Sequence, residues 1–302
     1  MTHHIHEIEV VTADGAYLRA GRDYLQAVDP SDAHSAARAQ ELIRDLKSLV
    51  TENLAAIRME LQTIPRQVSG YHLGHLLPEE GFDVARALAG SEGTCAVVVR
   101  AKVGLVEKPL TTALLCLGYE DTIESARDVT TILAAKPSAI EGLDVSIVDI
   151  MRHRRGAASV DSLPEGTAFL MVEFPGDTIE EVEGDCERLL EKLGADARVL
   201  DHAIVTEPTE RAKLWRIRED GAGLSSRRID GVQTWPGWED SAVAPERLAD
   251  YLTDLLTLVG KYNYTAFMYG HFGAGCVHMR LDYDLRSEAG RATFEEFTRE
   301  AA

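Results

Sequence analysis

The chain has 302 residues, 45% of them hydrophobic, and a formal net charge of −19 at pH 7. At roughly 150 residues per domain this suggests two globular domains, and so acidic a chain repels nucleic acid and anionic membranes, so that an anionic substrate needs a local basic pocket. No run approaches the ~18 uninterrupted apolar residues of a membrane span, and no basic-then-apolar leader opens the chain, so the expectation is a cytoplasmic protein, peripheral to a membrane at most.

From the N-terminus, "HHIH" at 3–6 reads as the start of a strand rather than a metal site, and "IHEIEVVTADGAYLRAG" as two strands around an Asp14-Gly15 hairpin turn. Residues 31–61 carry apolar side chains at three- and four-residue steps, which predicts a helix capped by Ser31 or Asp29 and closed by Pro65. Residues 96–106 read as a β segment broken by Gly104, and Pro109 as a boundary.

Beyond Pro109 the pattern alternates: strand 111–119, helix 122–136, a short helix 144–151, strand 167–174, helix 178–194, strand 197–205 and helix 208–223. A Trp-rich loop, helix 245–262 and strands 264–270 and 277–285 follow. The fold class expected is α+β, an antiparallel sheet with helices on one face. Cys95, Cys116, Cys186 and Cys276 are far apart and form no CxxC pair. That argues for reduced, mostly structural thiols and against a disulfide framework, a zinc knuckle or an iron–sulfur cluster held by this chain alone.

Four stretches can carry chemistry. In "GSEGT", Gly90, Ser91, Glu92, Gly93 and Thr94 let backbone approach a phosphate or a flavin edge, or simply form a loop. "RQVSGYHL", residues 66–73, presents Gly70 and Tyr71, an aromatic edge beside a ring system or a turn packed on a core. In "LWRIREDGAG", Arg216 and Arg218 point about 200° apart on a helix, so only one enters a given pocket. Arg218, just before the glycines that end the helix, either grips a carboxylate bidentately or forms a surface ion pair. In "YGHFGAGCVHMRLDYDL", His271 and His278 would lie on opposite faces of a single strand, but a hairpin turning at Gly273-Ala274-Gly275 lets them face each other. Such a pair can ligate a metal, bind an oxyanion or relay a proton, although two ligands alone make no tight metal site.

Taken in order, "RQVSGYHL", "GSEGT", "LWRIRE" and "GHFGAGCVH" resemble the FAD-linked oxidase family of 2-hydroxy-acid dehydrogenases. This is the glycolate oxidase, D-lactate and D-2-hydroxyglutarate dehydrogenase group within the vanillyl-alcohol-oxidase flavoprotein fold. The likeness runs over essentially the whole chain and rests most on "GSEGT" followed about 180 residues later by the glycine-flanked His–His hairpin. It looks most like the branch fused to a C-terminal iron–sulfur module, in which Cys stands where other branches have Asn, as Cys276 does.

The resemblance implies that residues 1–108 are the second half of a PCMH-type FAD-binding domain and 109–302 most of a cap, or substrate, domain. It implies an internal fragment, with the family's pyrophosphate loop before it and a glutamate-bearing "GEHG"-like segment after it. The implied cofactor is FAD, beside Gly70, Tyr71 and Gly90 to Thr94. Arg218 is implied on the substrate carboxylate, and His271 and His278 at the substrate hydroxyl through a divalent metal, zinc or manganese, whose third ligand is that glutamate. The implied reaction passes a hydride from the α-carbon of a D-lactate- or glycolate-like 2-hydroxy acid to flavin while a base takes the hydroxyl proton. The implied partners are that substrate and an electron acceptor or iron–sulfur module.

Two positions depart from the family pattern. Ala274 stands where the motif has aspartate, which removes a partner able to orient the histidines. Trp238 stands where enzymes for dicarboxylic substrates carry lysine, which argues against 2-hydroxyglutarate, and Trp235 and Trp238 are expected to line an apolar pocket or pack in the core. The alternative to a flavoenzyme is a non-catalytic cap-domain remnant that binds a small anion or a partner without flavin. A histidine-metal hydrolase is disfavoured because no nearby carboxylate completes a three-ligand set.

Overall fold

Alternating apolar residues and an Asp14-Gly15 turn build β1 (Ile5–Val11) and β2 (Tyr17–Gly21), which pair antiparallel with Val10 opposite Leu18. The structure is a computed structural model describing residues 2–61, 64–65, 67, 70–194 and 198–302. The chain divides into two compact units, residues 1–108 and 109–302.

In the first unit β3 (Tyr24–Ala27) and β4 (Val97–Val103) complete a four-stranded antiparallel sheet of order β3-β2-β1-β4. Ile8, Val10, Leu18 and Leu25 pack against Ala39, Val50 and Ile57 of α1 (Ala33–Glu52) and α2 (Leu54–Glu60). The cap of α1 is neither Ser31 nor Asp29. Asp32 accepts the N–H groups of His34 and Ser35, while Asp29 is spent on the Ser31 N–H one turn earlier. The helical pattern breaks at Asn53 and ends at Glu60, short of Pro65. The short α3 (Val84–Leu88) then leads through a turn into β4.

The second unit is built on seven strands: β5 (Thr111–Tyr119), β6 (Ala139–Asp144), β7 (Ala168–Gly176), β8 (Asp201–Val205), β9 (Trp235–Ala242), β10 (Ala266–Gly270) and β11 (Cys276–Leu281). Their order is β8-β5-β7-β6-β10-β11-β9, and every pair is antiparallel. The helices are α4 (Thr122–Arg127), α5 (Val129–Leu133), α6 (Val145–Arg155), α7 (Ile179–Leu193), α8 (Pro208–Leu224), α9 (Leu248–Lys261) and α10 (Glu288–Ala301).

The α+β class and antiparallel sheet are as expected, but helices cover both faces rather than one. Leu115, Leu117, Leu170 and Val172 face a core with α4, α5, α7, α9 and α10, while Leu114, Cys116, Phe169 and Met171 face another with α6 and α8. Continuous apolar runs in β5 and β7 are the signature of burial on both sides, and each such side chain contributes about 1.5–3 kcal/mol.

Three further expectations are corrected. Strand β6 lies where no strand is predicted, because "AIEGLD" mixes an acid and a glycine into a short strand. The Trp-rich loop is strand β9, paired on one side only, and an edge strand tolerates its Pro236 and its register shifts. Gly221 and Gly223 do not end α8, which runs on to Leu224, and Gly221 packs directly on Ile147 of α6.

Candidate active site

The turn between β10 and β11 is a short 3-10 segment, Phe272–Ala274, closed by Gly275. Gly275 has φ 66°, and a Cβ there would lie 1.9 Å from the Val243 carbonyl oxygen, so no other residue fits. Phe272 is fully buried and pins the turn. Because Val277, Met279 and Leu281 enter one core, the alternation of the strand turns Cys276 and His278 toward the face that carries α6 and α8. The imidazoles of His271 and His278 stand 5.1 Å apart between centroids, edge to face. Tyr269, paired directly opposite His278 in the ladder, stacks obliquely on it at 5.0 Å.

Glu141 joins this group from β6. Its Oε1 accepts from His271 Nδ1 at 2.7 Å and its Oε2 accepts from Arg218 Nε at 3.0 Å. The two carboxylate bonds do different work. One assigns the His271 proton to Nδ1 and leaves Nε2 with its lone pair. The other fixes Arg218, whose guanidinium also lies 5.2 Å over the Tyr269 ring. Because that bond uses Nε, the two terminal amino groups of Arg218 remain for a bidentate anion. With side chains only 18% and 13% exposed, the Arg218–Glu141 pair is shielded well enough to be costly to break from one side. Arg216 is exposed, as the helical offset requires.

His278 Nδ1 faces two opposed partners from β9, the Asp240 N–H at 3.3 Å and a Glu239 oxygen at 3.1 Å. A bare nitrogen satisfies the first and a protonated one the second, so the tautomer is set by their balance. Asp240 holds a left-handed φ of 53°, and its Oδ1 lies 3.9 Å from His278 Nδ1 and 3.6 Å from Cys276 Sγ. Burial holds the Tyr269 phenol above its ordinary range, and the Glu239 carboxylate adds to that.

The sequence reading thus missed Glu141, Glu239, Asp240 and Tyr269. It held that no nearby carboxylate completes a three-ligand set with the histidines, yet Glu141 bonds His271, and Glu239 and Asp240 face His278. It also took Ala274 to remove the orienting partner of the pair, whereas Glu141 fills that part for His271 from another strand. Nothing in the spacing of residues 141 and 271 points to this. Among the described residues no third His, Cys, Asp or Glu joins His271 and His278 together as a set of metal ligands; the group whose ligand atoms converge is Asp240, Cys276 and His278. Trp238 is turned inward, its Nε1 donating to the Tyr251 hydroxyl at 2.7 Å and its ring edge-on to Phe297.

The remaining candidates lie in the first unit. Of "RQVSGYHL", Arg66, Val68 and Ser69 lie outside the described residues. Tyr71 and Thr94 bring the two glycine stretches together through a 3.0 Å hydroxyl contact, and Thr94 in turn donates to the Ser91 carbonyl. Ser91 is buried and caps the end of α3 by donating to Leu88. Gly70 and Gly93 have φ of 72° and 74°, and a Cβ added to either meets no atom within 4 Å. The backbone there is open to the close approach of a ligand. Glu92, beside Gly93, is also left-handed, with φ 51°.

Residues 108–302 match the family described as FAD linked oxidases, C-terminal domain. The chain is 29% identical over 259 residues to a D-2-hydroxyglutarate dehydrogenase of Pseudomonas putida, covering 82% of this chain and 26% of that protein. It is 29% identical over 211 residues to the glycolate oxidase subunit GlcD of Bacillus subtilis, covering 69% and 43% respectively. The crystal structure of p-cresol methylhydroxylase with substrate bound superposes with a TM-score of 0.56 at 14% identity, over 99% of this chain and 55% of that one. The likeness establishes a shared fold. The chain spans about a quarter of the Pseudomonas relative and under half of the Bacillus one.

Proposed function

The chain belongs to the FAD linked oxidases through the C-terminal domain it carries over residues 108–302, and from that premise we propose that it is part of a flavoprotein that oxidises a small 2-hydroxy acid to the 2-oxo acid. In this reading residues 1–108 are the later part of a FAD-binding domain and 109–302 the cap that receives the substrate. The observation that carries the proposal is the convergence of Arg218, Glu141, His271 and His278 on one face of the second sheet. A cation beside two imidazoles, one with its tautomer fixed, matches a substrate with a carboxylate next to a hydroxyl.

The terminal amino groups of Arg218 grip the substrate carboxylate, held in place by Glu141 below and the Tyr269 ring beside. His271 Nε2, left bare by the bond from Nδ1 to Glu141, takes the hydroxyl proton. The Glu141 carboxylate then balances the imidazolium that results. Gly70, Tyr71 and Gly90 to Thr94 fit FAD, because two left-handed glycines leave open space at a loop tied together by Tyr71 and Thr94. When bound, FAD supplies the two-electron acceptor for the α-hydrogen. In the alternative in which His271 and His278 hold a divalent ion such as zinc or manganese, with a third ligand from outside the described residues, the ion would make the hydroxyl more acidic and His271 would serve as a ligand instead of the base.

Trp238, with its indole committed to Tyr251, offers no charge to a second carboxylate, which favours a lactate- or glycolate-like monocarboxylate. The acceptor that reoxidises the protein, an iron–sulfur module in the branch it resembles, lies outside the described residues. Free thiols at Cys95, Cys116 and Cys186 accord with a reducing, cytoplasmic setting, and among the described residues no helix is long and apolar enough to cross a membrane.

The test is direct. The purified chain is mixed with FAD, freed of excess, and its visible spectrum recorded, then followed anaerobically with D-lactate, glycolate and D-2-hydroxyglutarate. A bound flavin bleached by one of these acids is the expected result. A well-folded, colourless protein overturns the reading for this chain.

A further inference from the structure

We propose that Asp240, Cys276 and His278 form a binding site for a thiophilic divalent cation, zinc foremost, whose ligand set is distinct from the His271–His278 pair. The three residues come from neighbouring strands: Cys276 and His278 alternate onto the same face of β11, and Asp240 lies beside them on β9. One ligand atom from each lies within 4.8 Å of the other two. The Asp240 Oδ1 to Cys276 Sγ separation is 3.6 Å and the Asp240 Oδ1 to His278 Nδ1 separation is 3.9 Å. In a tetrahedral zinc site, bonds of about 2.3 Å to sulfur and about 2.0–2.1 Å to nitrogen and oxygen put neighbouring ligand atoms roughly 3.3–3.6 Å apart. The two separations from Asp240 lie within a few tenths of an ångström of these values, and the Cys276-to-His278 separation, under 4.8 Å, closes by side-chain rotation.

The donor set also suits the ion. A thiol, an imidazole and a carboxylate favour zinc over the hard cations, which take all-oxygen cages. Glu239 adds a second carboxylate, with an oxygen 3.1 Å from the same imidazole nitrogen. The ligand atoms of Asp240, Cys276 and His278 converge, with Glu239 against the imidazole only, and a cation binds the three with release of the thiol proton. On binding, the Cys276 thiol gives up its proton to solvent and its thiolate bonds the metal, with no change of oxidation state. The long bond from the Asp240 N–H to His278 Nδ1 is exchanged for the metal bond. Asp240 holds a left-handed φ of 53°, a conformation that aspartate and asparagine adopt more readily than most other residues.

Occupancy has a consequence for the neighbouring pair. A cation on Nδ1 leaves the His278 proton on Nε2, so His278 becomes a donor only and can no longer share an ion or a proton acceptor's part with His271. The site therefore acts as an inhibitory position for soft metals. It stands on ligand geometry alone and does not require the flavin reading.

The experiment uses cobalt(II) as the probe, in the full chain with the exposed Cys95 replaced by serine. One equivalent of cobalt is expected to produce a thiolate-to-cobalt charge-transfer band that zinc displaces. Cys276→Ser abolishes the band, the exposed Asp240→Asn weakens binding about tenfold or more, and His271→Ala leaves both band and affinity in place. Far-ultraviolet circular dichroism of the metal-free variants confirms folding, and Asp240→Asn, which keeps the backbone preference, reads the site even if Cys276→Ser does not fold. Cobalt bound without a thiolate band, a band that survives Cys276→Ser, affinity unchanged in Asp240→Asn, or loss of binding in His271→Ala overturns the proposal.

Discussion

Glu141 accepts the Nδ1 proton of His271 at 2.7 Å across 130 residues of sequence. The bond determines which imidazole nitrogen is available for chemistry. In Glu141→Ala the Nδ1–H form of His271 should lose its majority, seen in long-range ¹⁵N–¹H correlation spectra of the imidazoles. Stability should fall by about 1–3 kcal/mol because Arg218 is left without its partner. Glu141→Gln keeps one acceptor oxygen, enough for His271 Nδ1–H or Arg218 Nε–H but not for both, and should preserve only part of the tautomer preference. An unchanged His271 spectrum in the alanine variant would show that something else orients the ring.

Arg218→Lys tests the grip on the substrate. Lysine keeps the charge but has no Nε donor for Glu141 and no planar face for Tyr269. Binding of pyruvate, the product of lactate oxidation, should weaken by roughly tenfold, a loss of about 1.4 kcal/mol, in calorimetric titration. Equal affinity in the two proteins would remove Arg218 from the carboxylate site.

The alternation of residues along strands and helices was readable for much of the chain. Strand β5 begins and ends where predicted, because nine residues with apolar side chains on both faces admit little else. The hairpin that joins His271 to His278 was also readable, since its glycines are spaced for a turn. What was not readable depends on contacts between distant strands. Glu141 sits in a short strand whose own pattern is ambiguous, and only the pairing of β6 with β10 puts it beside His271. Glu239 and Asp240 looked like loop acids because β9 is an edge strand with proline, glycine and charge in it. The helices on the second face of the sheet were hidden for a related reason: Leu114 and Leu115 look alike in sequence, and only the fold divides them between two cores.

Asp144 caps α6 by accepting the Ser146 N–H at 2.7 Å, and burial raises its carboxyl above the ordinary 3.8 despite hydrogen bonds from Ser146 and Thr122. The folded state then holds this proton more tightly than the unfolded state. Its contribution to stability is complete below 3.8 and is lost as pH rises through the folded value. Asp144→Asn retains the cap without ionising. Urea midpoints measured from about pH 4 to about pH 7 should therefore decline less in the variant than in the parent. Parallel curves would mean that Asp144 titrates normally.

Two glycines in the second unit should respond to alanine with opposite signs. Gly275 is left-handed at φ 66° and its Cβ direction is blocked by the Val243 carbonyl at 1.9 Å, so Gly275→Ala must move either the turn or the strand entering from β9. A loss of at least about 2 kcal/mol is expected, together with displacement of His271 from His278. Gly223 lies in α8 with no atom within 4 Å of its Cβ position. There the substitution should stabilise by about 0.5–1 kcal/mol through helix propensity and the narrower unfolded ensemble. Chemical denaturation of both variants settles the signs. A tolerated Gly275→Ala would mean that the hairpin turn is not held by Val243, and that the spacing of the two histidines has another origin.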